Sequence, residues 1–145
     1  MIRNPEIQFA SADAIAAFQQ EYLREEIAYL YENSPYYRRM FDHCGARPAD
    51  IRTQEDLRRL PVTTKTDLQL HPQDFICVPR SRIIDYVTTS GTLGDPVTFA
   101  LTEEDLDRLA YNEAESFTTA GCTPEDVLQL MTTIDRRFMA GLAYF

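Results

Sequence analysis

A short stretch in the second half of the chain, T-T-S-G-T-L-G-D-P, concentrates hydroxyl and glycine residues. Glycine admits positive φ values and lets backbone N–H groups approach a ligand closely, while serine and threonine add hydroxyl donors. Phosphate oxygens are the ligand that needs such converging donors. The candidate phosphate-binding residues are Thr88, Thr89, Ser90, Gly91, Thr92, Leu93 and Gly94.

This loop differs from the phosphate-binding motif of P-loop nucleotide hydrolases, because the G-K-S/T ending is missing. The loop also joins two predicted strands and does not lead into a helix, so a helix dipole does not act on it directly. An ordinary hairpin turn favours the same residue types. On composition alone, a phosphate cradle and a turn are equally good explanations.

Two predicted strands hold the loop. β-Branched and aromatic residues are dense from Arg82 to Thr88 and from Val97 to Leu101, which predicts two strands that pair. A capping pattern at Thr102 predicts a long helix that Gly121 ends. A further apolar run, Val127–Met131, predicts a buried strand.

The first half of the chain has helical patterns. Apolar residues recur every three or four positions between Ser11 and Asn33, which predicts an amphipathic helix with Ser11 as its N-cap. Pro35 ends this helix and begins a second one, for which Gly45 is a suitable left-handed C-cap. Two more short helices are predicted from S/T-x-x-D capping patterns that begin at Thr53 and Thr64.

These elements predict a mixed α/β fold, because a strand, a helix and a strand in succession begin an α/β unit. We expect a helical N-terminal region at residues 1–80 and a partial α/β subdomain with the loop at residues 81–145. The chain ends at Phe145 without a partner for its last predicted strand, so we expect a truncated fold. Uncovered apolar surface then favours self-association.

The composition excludes several classes of protein. A net charge of −9 without a run of Lys or Arg argues against nucleic-acid binding. Cys44, Cys77 and Cys122 are widely spaced and odd in number, so we expect buried free thiols. His43 and His71 are isolated, and no metal site is predicted. The N-terminus lacks an apolar signal sequence and no membrane span is present, so we expect a cytoplasmic protein.

Four further motifs lie in order around the loop. They are S-P-Y-Y-R at residues 34–38, L-P-V-T-T-K-T-D-L at 60–68, L-T-E-E-D-L at 101–106 and A-G-C-T-P-E-D-V at 120–127. The loop itself resembles the S/T-S-G-S/T-S/T-G-x-P pattern of adenylate-forming enzymes, the superfamily of acyl-CoA synthetases, adenylation domains and luciferases. With its four neighbours it makes nearly the whole chain resemble the N-terminal portion of phenylacetate-CoA ligases.

The resemblance implies an ATP-dependent ligase with Mg²⁺ and coenzyme A, acting on a small carboxylic acid that is acyl or aryl. The N-terminal domain of adenylate-forming enzymes is then the expected fold. The loop is implied to hold the β- and γ-phosphates and to position the pyrophosphate leaving group. In that role the hydroxyls of Thr89, Ser90 and Thr92 donate hydrogen bonds to the phosphates, while Gly91 and Gly94 allow the backbone to approach them closely.

No catalytic residue or metal ligand is predicted in this chain. The family's adenine-binding elements, its Mg²⁺-binding glutamate and its catalytic lysine lie beyond the matched region, and Lys65 does not correspond to that lysine. We therefore expect an N-terminal fragment that does not turn over alone, with neither nucleic acid nor membrane as partner.

Two residues depart from the family's loop pattern. Leu93 replaces a hydroxyl residue, and Asp95 stands where lysine is common. These departures leave open a non-catalytic nucleotide-binding or regulatory module. A third alternative is a helical interaction domain that presents the aromatic face of the helix from Ser11 to Asn33 to a partner.

Overall fold

The chain has the mixed α/β fold that the sequence predicts. A computed structural model describes residues 5–89, 94–129 and 131. The chain divides into two compact units, at residues 2–78 and 79–145. The predicted assignment of domains at residues 1–80 and 81–145 stays a prediction.

The described regular elements are four α-helices and two β-strands. The helices are α1 (Ala12–Asn33), α2 (Pro35–Cys44), α3 (Lys65–Leu70) and α4 (Glu103–Thr119), and the strands are β1 (Asp85–Thr88) and β2 (Thr98–Leu101). Short 3₁₀ turns lie at Pro5–Phe9, Pro48–Asp50, Asp56–Arg59, Pro72–Phe75 and Arg80–Arg82. Within the described ranges, no helix is both long and apolar enough to cross a membrane.

Local capping signals begin and end α1 and α2 where the sequence predicts. Ser11 Oγ accepts the N–H of Ala14 at 3.2 Å, which satisfies one of the free donors at the start of α1. Gly45 ends α2 with a φ of 67°, a left-handed conformation that glycine adopts without steric cost.

The core of residues 2–78 lies between α1, α2 and the segment that follows α2. Its buried members are Ile27, Phe41, Ala46 and Ile51, with Leu23, Tyr31, Met40 and Leu60 packed against them. Phe41 and Ile51 are completely buried. Tyr31 meets Phe41 edge to face at 5.7 Å between ring centroids, a geometry that aromatic pairs favour.

Three S/T-x-x-D pairs form the predicted hydrogen bonds, but they do not all begin α-helices. Reciprocal capping boxes open α3 at Thr64 and α4 at Thr102. Thr53 and Asp56 make the same side-chain contact at 2.9 Å, yet only the 3₁₀ turn Asp56–Arg59 follows. Pro61 explains the difference, because the residue before a proline is disfavoured in the helical region and the helix cannot extend.

Strands β1 and β2 form an antiparallel hairpin. The pairs run from Asp85 with Leu101 to Thr88 with Thr98, and Val87 is completely buried. The first strand begins at Asp85 and not at the predicted Arg82, because Arg80–Arg82 form a 3₁₀ turn.

The predicted buried strand Val127–Met131 is wrong. Val127 and Met131 are 96% and 88% exposed, and residues 127–129 and 131 have no regular secondary structure. Leu130 lies outside the described residues. A strand requires a neighbouring strand to pair its backbone groups, and no strand pairs with this segment within the described ranges.

The expectation of buried free thiols is only half right. All three cysteines are free, but Cys44 is exposed, while Cys77 and Cys122 are half-buried. Burial raises the pKa of the Cys77 thiol, and the charge of Glu26 adds to the shift.

Candidate functional site

The β1–β2 hairpin positions both ends of the predicted phosphate-binding loop. Just beyond β1, the N–H of Thr89 donates to the carbonyl of Val97 at 3.0 Å, and the N–H of Val97 donates to Thr89 Oγ1 at 3.0 Å. The Thr89 side chain is therefore fixed at the base of the loop. A hydroxyl that accepts one hydrogen bond still carries its own O–H donor.

The middle of the loop is outside the described residues, and the ligand contacts predicted for it stay predictions. These residues are Ser90, Gly91, Thr92 and Leu93. At the far end, Gly94 has a φ of 132° and no heavy atom within 4 Å of the place where a Cβ would lie. Glycine is thus required at this position by backbone conformation and not by crowding.

Buried side chains on the hairpin support this loop. Val87 on β1, Val97 just before β2 and Leu101 at the end of β2 are all buried. The N–H of Ile84 also donates to the carbonyl of Leu101 at 2.9 Å, which extends the pairing away from the loop. The two loop ends, at Thr89 and Val97, are consequently held together by hydrogen bonds.

No cluster of metal-ligating side chains accompanies the loop in the described part of the chain. Among residues 5–89, 94–129 and 131, no group of three or more His, Cys, Asp and Glu side chains could hold a metal ion. We assign no step to a metal held by these described residues.

The two motifs of the helical region, residues 34–38 and 60–68, lie against each other and against the turn Pro72–Phe75. Tyr36 stacks on Phe75 with ring centroids 4.1 Å apart. Thr63 Oγ1 donates to the Tyr37 hydroxyl at 3.4 Å. Ser34 Oγ donates to the Asp74 carbonyl at 2.8 Å. Both motifs therefore build one aromatic and polar cluster, which we call the Tyr36 cluster.

Two pKa shifts show how the Tyr36 cluster is charged. Hydrogen bonds from the Thr64 side chain and backbone hold the pKa of Asp67 below its usual value. Burial, followed by the charge of Asp67, raises the pKa of Tyr36. At neutral pH Asp67 is thus a carboxylate acceptor and Tyr36 a neutral phenol. A neutral phenol beside a carboxylate is suited to a stable hydrogen bond that holds two segments together, and less suited to proton transfer.

An open apolar groove runs along one face of α1. Its volume is about 930 Å³, and it is lined by Phe18, Gln19, Tyr22, Leu23, Glu25, Glu26, Tyr29, Gln54 and Leu57. Tyr29 and Leu57 are 41% and 37% exposed. The predicted aromatic face of the first helix is therefore only partly covered, and two carboxylates stand at its margin.

Sequence patterns alone did not reveal the Tyr36 cluster. Ser34 and Asp74 are forty positions apart, and Phe75 lies in a 3₁₀ turn that no capping pattern predicted. The available signal was the family resemblance, which singles out residues 34–38 and 60–68 but does not place them against each other.

This chain is similar in sequence and in structure to CoA ligases. No family model matches it. It is 38% identical over 125 residues to phenylacetate-coenzyme A ligases of Escherichia coli K12 and Thermus thermophilus, covering 86% of this chain. Among solved structures, 2-hydroxyisobutyryl-CoA ligase in complex with 2-HIB-AMP and CoA superposes with a TM-score of 0.76 at 32% identity, over 84% of this chain.

The matched region is a small part of each relative. This chain spans 29% and 28% of the two phenylacetate-coenzyme A ligases and 27% of the 2-hydroxyisobutyryl-CoA ligase.

Proposed function

Because this chain is related to the N-terminal portion of phenylacetate-CoA ligases, we propose that it supplies the polyphosphate-binding part of an ATP-dependent acyl- or aryl-CoA ligase. The observation that carries the proposal is the collinear similarity, with 38% identity over 125 residues. The superposition on a ligase of a hydroxylated acid supports the acyl-CoA ligase class without fixing the acid.

The proposed reaction has two steps. A carboxylate oxygen of the acid attacks the α-phosphorus of ATP, the bond to the β-phosphate oxygen breaks, and pyrophosphate leaves. The thiolate of coenzyme A then attacks the acyl carbon, and AMP leaves. This chain would act in the first step, because its loop is the part that the resemblance assigns to the β- and γ-phosphates.

The loop would contribute by positioning and by electrostatic stabilisation. Hydroxyls of Thr89, Ser90 and Thr92 and the backbone around Gly91 and Gly94 would donate hydrogen bonds to the leaving pyrophosphate. Thr89 is held at the base of the loop by its two bonds to Val97. A fixed donor loses less conformational freedom when the nucleotide binds.

Asp95 weakens the proposed nucleotide affinity. It follows Gly94 directly and is exposed, and a carboxylate about 6 Å from a phosphate is repelled by roughly 3 kcal/mol at an effective dielectric near 20. Solvent and salt reduce this cost. We therefore expect weak ATP binding by this chain, with no ligation by it alone.

Calorimetric titration of the full chain with Mg²⁺-ATP tests the proposal. Wild type should bind, and the double substitution Ser90→Ala with Thr92→Ala should weaken binding about tenfold or more, since hydrogen bonds to a charged group contribute roughly 1.5–3 kcal/mol. Thr118→Ala is the matched control, because this hydroxyl on α4 bonds the Ala114 carbonyl at 2.8 Å within its own helix.

Equal affinity of wild type and the loop double variant would show that the loop does not hold the phosphates. An absence of binding by wild type would contradict a phosphate-binding role for this chain.

A second candidate function is an interaction domain, and the open groove on α1 favours it. Its apolar lining is large and only partly covered, and exposed apolar patches of this kind mark binding surfaces. Because we expect self-association, the proposed occupant of this groove is a second copy of this chain.

A further inference from the structure

We propose that a pocket between α1 and the turn Pro48–Asp50 binds a phosphate-bearing anion through Arg24 and Arg52, separately from the loop at residues 88–94. The pocket has a volume of about 350 Å³. Its lining consists of Arg24, Ala28, Pro48, Ala49, Ile51 and Arg52. Both charged residues that line it are therefore cations.

Each guanidinium is anchored by one of its nitrogens. Arg24 Nε donates to the Arg52 carbonyl at 3.4 Å, and Arg52 Nε donates to the Ala49 carbonyl at 3.0 Å. Within residues 5–89, 94–129 and 131, the terminal Nη groups of both side chains have no hydrogen-bond or ion-pair partner. These groups are the edge of arginine that binds phosphate in a bidentate manner.

The charge of the pocket is unusual for this chain, which has 23 acidic and 14 basic residues. Two carboxylates are bonded to this segment, and both accept backbone N–H groups: Asp56 accepts that of Arg52 at 3.0 Å and Asp50 that of Arg47 at 2.8 Å. Neither pairs with the guanidinium of Arg24 or Arg52. Two cations beside one cavity repel each other, and a dianion placed between them removes that repulsion. A phosphate group carries that charge and matches the planar guanidinium geometry.

Packed residues fix the backbone that carries the two arginines, whose side chains are exposed. Ile51, between the turn and Arg52, is completely buried, and Ile27 beside Ala28 belongs to the same core cluster. Arg24 lies on α1, and the turn at Pro48–Asp50 has a proline at its first position, which restricts its backbone. The pocket is thus built on rigid elements, as a binding site requires.

Site-resolved NMR titration of the full chain with pyrophosphate, coenzyme A and acetate tests this proposal. The backbone signals of Ala28 and Ala49, which line the pocket, should shift with the two phosphate compounds and not with acetate. Arg24→Gln and Arg52→Gln should each weaken this binding about tenfold, because each removes one charge-assisted contact.

Arg58→Gln is the matched control, since this exposed arginine pairs with Glu55 at 2.7 Å and lines no part of the pocket. Arg24→Lys keeps the positive charge but lacks the planar guanidinium that donates two parallel hydrogen bonds. It should therefore retain part of the affinity. Spectra of the variants without ligand establish that each is folded.

The outcomes separate this site from the proposed function. Stronger shifts with coenzyme A than with pyrophosphate would identify a phosphate on a nucleotide as the source, and the reverse would identify a free anion. Shifts that persist in the Ser90→Ala, Thr92→Ala variant would confirm a site independent of the loop. The proposal is overturned if Ala28 and Ala49 do not shift, or if both arginine variants bind as wild type does.

Discussion

At the scale of single residues, Ser34 connects three segments of the helical region. Its N–H donates to the Leu30 carbonyl at 2.9 Å and ends α1, while its Oγ accepts the N–H of Tyr37 at 3.3 Å and begins α2. The same hydroxyl donates to the Asp74 carbonyl. Ser34 is 1% exposed, so water does not replace these bonds readily.

Replacing Ser34 by alanine should destabilise the chain by about 2 kcal/mol, since it removes an N-cap and leaves the partly buried Asp74 carbonyl without its donor. Urea denaturation followed by circular dichroism measures this change. Ser116→Ala is the control, because the Ser116 hydroxyl bonds only within α4, to the Asn112 carbonyl, and should change stability by less than about 0.5 kcal/mol. Similar losses of unfolding free energy in both variants would show that the side-chain hydrogen bonds of Ser34 do not stabilise the helical region.

At the scale of elements, the sequence predicted the helices and strands whose formation depends on local interactions. The first two helices, the capping boxes at Thr64 and Thr102 and the β1–β2 pairing depend on residues close along the chain, and the structure confirms them.

The failures concern features that distant residues decide. The apolar run from Val127 has the composition of a strand but no pairing partner among the described residues. The Tyr36 cluster depends on contacts between segments some forty positions apart. Of the candidate site, the hairpin base was predictable from residue types, while the phosphate contacts of the loop rest on the family resemblance.

The capping carboxylates make the helical region sensitive to acid. Because the pKa of Asp67 is lowered from 3.8 in the folded chain, its stabilising contribution is complete well above that pH. The contribution is lost as pH falls from about 3.8 through the folded pKa. Asp67→Asn should therefore flatten the dependence of the urea midpoint on pH in this acidic range.

Glu32→Gln removes an exposed carboxylate at the end of α1 and serves as the control for that measurement. A wild-type and an Asp67→Asn curve of equal slope below pH 4 would contradict a capping role for the Asp67 charge.

At the scale of the whole molecule, exposed apolar surface and net charge have opposite effects on self-association. Leu57 in the groove, and Val127 and Met131 beyond α4, are exposed, which favours association. A net charge of −9 opposes association of identical chains, and salt screens this repulsion.

We therefore predict self-association that strengthens with ionic strength, measured by sedimentation velocity. Leu57→Lys should weaken it if the groove on α1 is the interface, whereas Val127→Lys should weaken it if the segment after α4 is. Thr119→Lys adds the same charge at an exposed position without removing apolar surface, and should have a smaller effect. A monomer at every salt concentration would contradict the prediction.

The Tyr36 cluster also gives this chain an optical signature. The sequence contains eight tyrosines and no tryptophan, so its near-ultraviolet circular dichroism comes chiefly from tyrosine rings held in fixed, asymmetric surroundings. Tyr36 and Tyr37 both contact Phe75 and are two such rings. Phe75→Trp would place a single indole fluorophore in this cluster, where its emission would report the opening of the helical region independently of the hairpin.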